Sequence, residues 1–540
     1  MNFRLYDTAS KSTNEFVPGN PADITFYTCG PTVYDDAHIG NFRSFLAADL
    51  LRRWLESPLC TLADGNGGSH SGPRNVTHVM NITDVGHMTD DTDADGGGED
   101  KMLAAEKRIL EAKKAGTIPA DAKVDPGDPF AVAEYYTNRF LEDAKNLGLK
   151  VAIETDKSPK ARKMLMPRAT EHIDGMKRVI VELLDRGFAY TGGTPGSRAI
   201  YFDVQKANEY GRLSGNSLEN LRGGAGGRLH DSNQQEKKHA ADFLLWKEDA
   251  THKMKWTAPE HAECSGWGDG YPGWHIECTA MSLERLVPGG LTAAMHKHSE
   301  IDLHSGGEDN IFPHHECEIA QSCAFTGAPR FARHWFHPRF LMVNGAKMSK
   351  SKGTFYTPRE LMAKGIDPAA IRLELIKTHY RANADFSMQG LKDSSRTVER
   401  WRQFIAKAEQ VPGDEIHHQI RNDVATALTD DLNIAGAIGA INKWINATAS
   451  PSKGDADLLT EFDQVLGILS LQTIASQETG IAVYLPGASP SDEVETLLVE
   501  RRDAKKAKDF ARSDAIRDQL AGMGFALKDI AGGKVEVGPA

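Results

Sequence analysis

Three groups of residues in this 540-residue chain have types and spacings that could do chemistry. The first is His38-Ile39-Gly40-Asn41, which stands between a strand-like stretch and a run of apolar residues at helical spacing. Backbone N–H groups at a helix N-terminus, with the helix dipole behind them, favour phosphate. Gly40 lets a ligand approach the backbone closely, and His38 and Asn41 can donate to phosphate oxygens. The second group is Lys347-Met348-Ser349-Lys350-Ser351, followed by Lys352-Gly353. Two lysines three apart among serines make a cationic loop suited to a polyphosphate, because lysine is a point charge that can follow a moving phosphate. Such a pentapeptide arises by chance in about one chain in several thousand at average residue usage, which disfavours a merely solvated turn. It also sits in a local reversal of charge. No acid stands between Glu318 and Glu360, while Arg330, Arg333, Arg339, Lys347, Lys350, Lys352 and Arg359 supply seven positive charges.

The third group ligates metals by type. Cys29, Cys278, His314 and Glu318 each suit zinc, and His314 and Glu318, four apart, share one face of a helix. Cys264, His315, Cys317 and Cys323 are equally eligible by chemistry, so spacing alone leaves the ligand set open.

The elements that must position these groups read as α/β at the N-terminus. Residues 24–29 predict a strand that Gly30-Pro31 ends, and 76–82 predict a second. Between them, Phe42, Phe45, Leu46, Ala48, Leu50, Leu51 and Trp54 predict a helix over 38–55. Residues 57–72 read as a surface insertion. Residues 89–100, with six acids and three consecutive glycines, read as a mobile loop. Helices follow over 101–114, 129–147 and 170–186, inside a region to about 241 that reads as inserted. The α/β pattern resumes near Phe243 and ends near Val343. Beyond Lys352 the chain turns helical, with periodicity over 391–408 and 420–447. A last unit of ~50 residues starts near Glu493 with a basic helix over 501–520.

Composition bounds the function class. Hydrophobic residues make up 40% and charged residues 26%, the make-up of a globular protein rather than a disordered or collagen-like one. A net charge of −12 argues against a general nucleic-acid coat protein, though not against a local basic track. No apolar run reaches the ~18 residues a membrane span needs. The first residues lack the apolar core of an export signal, and six cysteines are too few for a disulfide scaffold, so a reducing cytoplasm is expected.

The first two motifs together resemble the paired ATP-binding elements of class I aminoacyl-tRNA synthetases, with Asn41 a variant of the more general second histidine. Cys29-Gly30-Pro31-Thr32-Val33-Tyr34-Asp35, Asn81-Ile82-Thr83-Asp84, Gly273-Trp274-His275-Ile276-Glu277-Cys278 and Phe312-Pro313-His314-His315-Glu316, with Glu318 beyond, are similar to motifs of one family in that class, the cysteinyl-tRNA synthetases. The resemblance runs from Tyr6 to about Val537, with gaps at 57–72 and 151–165. It implies an α/β fold, a Rossmann-type parallel-sheet catalytic domain split by an inserted domain and followed by a helical bundle and a small C-terminal domain. The implied divisions are 1–90 and 241–345 for the catalytic halves and 91–240 for the inserted connective region. Residues 346–400 would form a stem-contact region, 401–486 a tRNA-binding bundle and 487–540 an anticodon-side domain.

The resemblance further implies a cytoplasmic monomer, away from membranes, that joins L-cysteine to ATP and transfers it to the 3′ end of cysteine tRNA. One zinc per chain would be held by Cys29, Cys278, His314 and Glu318, and Mg2+ would accompany ATP. His38, Asn41, Lys347 and Lys350 would be catalytic. Gly40, Gly306, Gly307 and Asp309 would join His38, Asn41 and Lys350 in binding ATP, and Trp274 and Thr83 would bind cysteine. A thiol with pKa ~8.5 loses its proton readily at a soft metal, which would separate cysteine from serine without an editing site. Two other readings stand beside it: a cysteine ligase with an amino-sugar acceptor, and a non-catalytic paralogue. The helical region after Arg400 argues against the first, and the intact motifs against the second.

Overall fold

Residues Asp23–Thr28 form strand β1, exposed at Asp23 and buried from Phe26 onward, as a strand covered on both faces must be. The chain then turns at Gly30, where an added Cβ would lie 1.9 Å from the Asn81 carbonyl oxygen, so only glycine fits. Helix α1, Ile39–Glu56, follows and buries Phe42, Phe45, Leu46, Leu50 and Trp54. Strand β2, Asn75–Met80, returns parallel to β1. After a long excursion come helix α2, Trp274–Leu286, strand β3, Ile301–Ser305, helix α3, His314–Thr326, and strand β4, Ala332–Phe336. The sheet order is β4-β3-β1-β2, all parallel. Successive strands thus build outward from β1 in opposite directions, and the C-terminal ends of β1 and β3 open a crevice at the point of reversal, where such sheets bind ligands. The computed structural model describes residues 1–86, 88–90, 97–114, 124–216, 218, 236–348, 354–413, 417–471, 477–484, 488, 490–530 and 534–539.

Several expected boundaries move because strands find partners across them. Ala199–Phe202 pairs antiparallel with Phe243–Glu248, which pairs in turn with Gly270–Pro272. The 240/241 division therefore falls inside one four-stranded sheet, and the parallel sheet resumes only at Ile301. Leu341–Val343 pairs with both Ala346–Lys347 and Ala384–Phe386, so 345/346 is interior as well. The acidic segment expected as a loop carries a two-stranded ladder, Met88–Asp90 against Gly97–Asp100. The apolar period over 420–447 is broken into helices His418–Thr429 and Ile434–Ala447 by Asp431 and Leu432, both at φ 55°. The basic helix expected over 501–520 is likewise two, Asp492–Lys506 and Phe510–Gly522, divided at Lys508 with φ 62°. Their sheet includes Ala482–Tyr484, paired with Val535–Pro539, so the last unit starts before residue 487.

A buried ionic joint fastens α1 to the helices behind it. Asp49 accepts from Arg53 at 2.7 Å and from Arg372 at 2.6 Å, and Arg372 also donates to the carbonyls of Leu466 and Leu147. Burial alone would raise the Asp49 carboxyl, but the two guanidinium groups hold it well below its ordinary range. Among the described residues no helix is long and apolar enough to cross a membrane.

Candidate functional site

The crevice at the strand ends is a cavity of about 620 Å³, within the ~300–1,000 Å³ of small-molecule sites. His38, Gly40 and Asn41 line one side of it and Cys29, Thr83, Trp274, Cys278 and His314 another, with Gly307 and Asp309 also in the wall. The residues expected at the site thus converge from four separate stretches of chain. Gly306 is an exception: it is not in the wall but packs against the His315 ring. Lys350 lies outside the described residues, and of Lys347 only the backbone is described, at the end of the strand Ala346–Lys347.

Local chemistry explains the first wall. His38 is the N-cap of α1, its Nδ1 accepting from the backbone N–H groups of Gly40 and Asn41 at 3.1 and 3.2 Å. A ring whose Nδ1 accepts twice carries its proton on Nε2, so the remaining nitrogen of neutral His38 is a donor. Asn41 Oδ1 accepts from the His38 backbone N–H at 3.1 Å, which reserves the amide nitrogen for donation. The capping box therefore spends both acceptors on the helix. Met348 also lines the cavity, and an added Cβ on Gly40 would lie 2.5 Å from its Cε. The second motif thus begins directly over the glycine of the first.

The metal-type residues are fully or nearly buried, and all but Glu318 line the cavity. Cys29 Sγ lies 3.6 Å from Cys278 Sγ and 3.5 Å from both His314 Nε2 and Glu318 Oε1, while His314 Nε2 and Glu318 Oε1 are 3.0 Å apart. Zinc bonds of ~2.3 Å to sulfur and ~2.0–2.2 Å to nitrogen or oxygen give a tetrahedron with edges of about 3.3–3.8 Å. The three distances from Cys29 match those edges, and the 3.0 Å His314–Glu318 pair would open slightly around an ion. A second quartet, Cys29, His304, His315 and Glu318, is also compact. The cavity separates the two. Cys29, Cys278 and His314 line it, whereas Glu318, His304 and His315 do not, so the first set presents three of its residues to the cavity and the second only Cys29.

Neighbours orient this set. His304 Nε2 donates to Glu318 Oε2 at 3.0 Å, His275 Nδ1 meets His314 Nδ1 at 2.9 Å, and Trp274 stacks on the His314 ring at 4.2 Å. Burial opposes ionisation of Glu318, but His304 and His314 outweigh it and hold the carboxyl near 2. Burial likewise disfavours a charged His314, yet Glu318 and Cys278 bring it to about 10. Burial pushes the Cys29 thiol well up. It would do the same for Cys278, but the hydrogen bond from Cys29 and the adjoining His314 keep that thiol low. Such a donor set, buried with its charges, is better satisfied by a dication than by protons.

Sequence reasoning named candidate ligands but not the residues that position them. Asn81 accepts from the Gly30 N–H at 2.8 Å and donates to Thr83 Oγ1 at 3.1 Å, and Thr83 exchanges backbone bonds with Pro31 and Val33. Asn81 lies in a motif described above, so its signal was present without a role, whereas His304 carried none. Arg108, in the cavity wall from helix Lys101–Lys114, had no such signal. The seven-charge run is also not one track. Arg330 and Arg333 pair with Glu300, and Arg359 with Asp143 at 3.0 Å.

Residues 15–396 match the family described as the tRNA synthetases class I (C) catalytic domain, and 489–536 match the cysteinyl-tRNA ligase anticodon binding domain. A cysteine–tRNA ligase of Salinibacter ruber is 37% identical over 98% of this chain and 96% of its own length. That of Thermus thermophilus is 34% identical over 98% of each. Among solved structures, the Agrobacterium radiobacter K84 agnB2 LeuRS–tRNA–LeuAMS complex aligns over 97% of both chains with a TM-score of 0.51 at 11% identity, a likeness of fold alone.

Proposed function

The chain belongs to the cysteinyl-tRNA synthetases of class I, and from that premise we propose that this cavity activates L-cysteine with ATP and passes it to the 3′ end of cysteine tRNA. It is a ligase of protein biosynthesis, and the proposal includes a cytoplasmic monomer and Mg2+ as the companion of ATP. The observation that carries it is one cavity lined both by a phosphate-type helix start and by three members of a zinc-type quartet, Cys29, Cys278 and His314, with Glu318 behind them.

Cys29, Cys278, His314 and Glu318 would hold zinc. When bound there, zinc would supply a soft Lewis acid that favours the substrate's thiolate over a serine hydroxyl. Trp274, stacked on His314, closes the amino-acid end, and Thr83, pinned by Asn81, fixes its floor. His38 and Asn41 direct donors to the α-phosphate, where negative charge grows as the cysteine carboxylate attacks and pyrophosphate leaves. Lys350 would complete that stabilisation on the pyrophosphate side, with Lys347 beside it, and Gly307 and Asp309 border the nucleoside. No side chain needs to act as a general base, since the attacking carboxylate is already ionised. The match of 489–536 to an anticodon binding domain supports tRNA as the acceptor over an amino sugar.

Cysteine-dependent exchange of pyrophosphate into ATP, run against a panel of amino acids and followed by charging of total tRNA, tests the proposal. Exchange driven by serine as strongly as by cysteine, or cysteine transfer to no tRNA, would overturn it.

A further inference from the structure

We propose that Arg108 and Arg339 form a clamp for the polyphosphate end of ATP, a role that rests on reading the cavity as the ATP site. They come from unrelated parts of the chain, Arg108 from helix Lys101–Lys114 in the inserted region and Arg339 from the link after β4, and both line the cavity. Both are also tied to the phosphate-binding end of α1. Arg108 Nη2 donates at 2.7 Å to the carbonyl of Tyr34, four residues before His38. The carbonyl of Arg339 accepts at 3.1 Å from Nε of Arg43, two residues beyond Asn41.

Neither guanidinium is fully committed to the protein. Arg108 Nε stands 3.8 Å from Asp35 Oδ2, and Arg339 Nε stands 3.7 Å from Glu308 Oε2. Charge-assisted hydrogen bonds are ~2.7–2.9 Å, so these carboxylates orient the arginines without binding them. Arg108 Nε is buried and has no hydrogen-bond partner among the described residues. A buried donor of that kind is costly unless a ligand satisfies it. Arg330, Arg333 and Arg359 contrast with this pair, each held closely by an acid outside the cavity. A phosphate group supplies both the charge and the paired oxygens that a guanidinium fork accepts. The clamp would grip the β- and γ-phosphates and the pyrophosphate they become.

The test is pyrophosphate exchange by the full chain, with Arg108→Gln and Arg339→Gln. Wild type must first show cysteine-dependent exchange; its failure would defeat the ATP reading itself, before the clamp is addressed. Each variant should then raise KM for ATP by about ten- to a hundredfold, the effect of losing a hydrogen bond to a charged group. KM for L-cysteine should stay unchanged, and KM for pyrophosphate should rise with that for ATP. Arg108→Lys should recover part of the loss, keeping the charge without the fork. An unchanged KM for ATP in both glutamine variants overturns the clamp, as does an equal rise in KM for cysteine. Should Arg108→Gln misfold, Arg339→Gln decides the matter, because its side chain is 55% exposed and bonds the protein only loosely.

Discussion

Replacing Gly40 by alanine would place a methyl group 2.5 Å from Cε of Met348 and 2.9 Å from Cε1 and Nδ1 of His38. Ordinary carbon contacts are ~3.5–4.0 Å, so His38 must retreat by about 0.6–1.1 Å and Met348 by somewhat more. Met348 can swing away at little cost because its end is flexible. His38 cannot, since its ring is fixed by two hydrogen bonds to the first turn of α1. Losing that cap costs about 1 kcal/mol, while alanine gains about 1 kcal/mol over glycine inside a helix. Stability should therefore stay within about 1 kcal/mol of wild type. Activity should not, because a displacement of ~1 Å in a positioned group costs ~10²-fold. We expect cysteine-dependent pyrophosphate exchange to fall by about two orders of magnitude, with zinc content and Tm unchanged. Exchange within twofold of wild type would refute the assignment of His38 and the backbone at Gly40 to the phosphate. A matching fall in Tm would show that the residue is needed only for folding.

Cys278→Ser should lower zinc content from one per chain, because a hydroxyl is a poor ligand at neutral pH; full retention would exclude Cys278 as a ligand. In cobalt-substituted enzyme, L-cysteine should change the absorption spectrum and L-serine should not, and a spectrum indifferent to both would make the site structural. Asp49→Asn leaves the buried Arg372 guanidinium without its counter-charge, which should cost ~3–5 kcal/mol and lower Tm. The depressed Asp49 carboxyl stabilises the fold above its unfolded pKa of ~3.9 and loses that contribution as pH falls. The variant's Tm should accordingly vary less with pH at the acid end, and identical profiles would defeat this. Truncation after Leu471, which removes the whole terminal sheet, should spare pyrophosphate exchange and sharply weaken tRNA charging; unchanged charging would deny this unit a role in tRNA binding.

What the sequence determined by itself is local. The start of α1 is written in His38 and Asn41, whose side chains cap backbone groups two or three residues away, and its buried stripe follows from helical spacing. The motifs at Cys29, Trp274 and His314 also named a family, and with it a fold. The tertiary structure alone decided which elements share a sheet, and so paired strands across the divisions expected at 240, 345 and 486. It also decided that Cys29 meets Glu318 across 289 residues while His315, 3.3 Å from Cys29, stays out of the cavity wall, that Arg108 reaches that wall, and that Arg330 and Arg333 are neutralised by Glu300. Caps and helical periods arise from residues within a turn of one another, so a short window of sequence contains both partners. Strand pairing, ligand convergence and charge neutralisation join residues that are distant in sequence, and packing alone sets which of many eligible partners they meet.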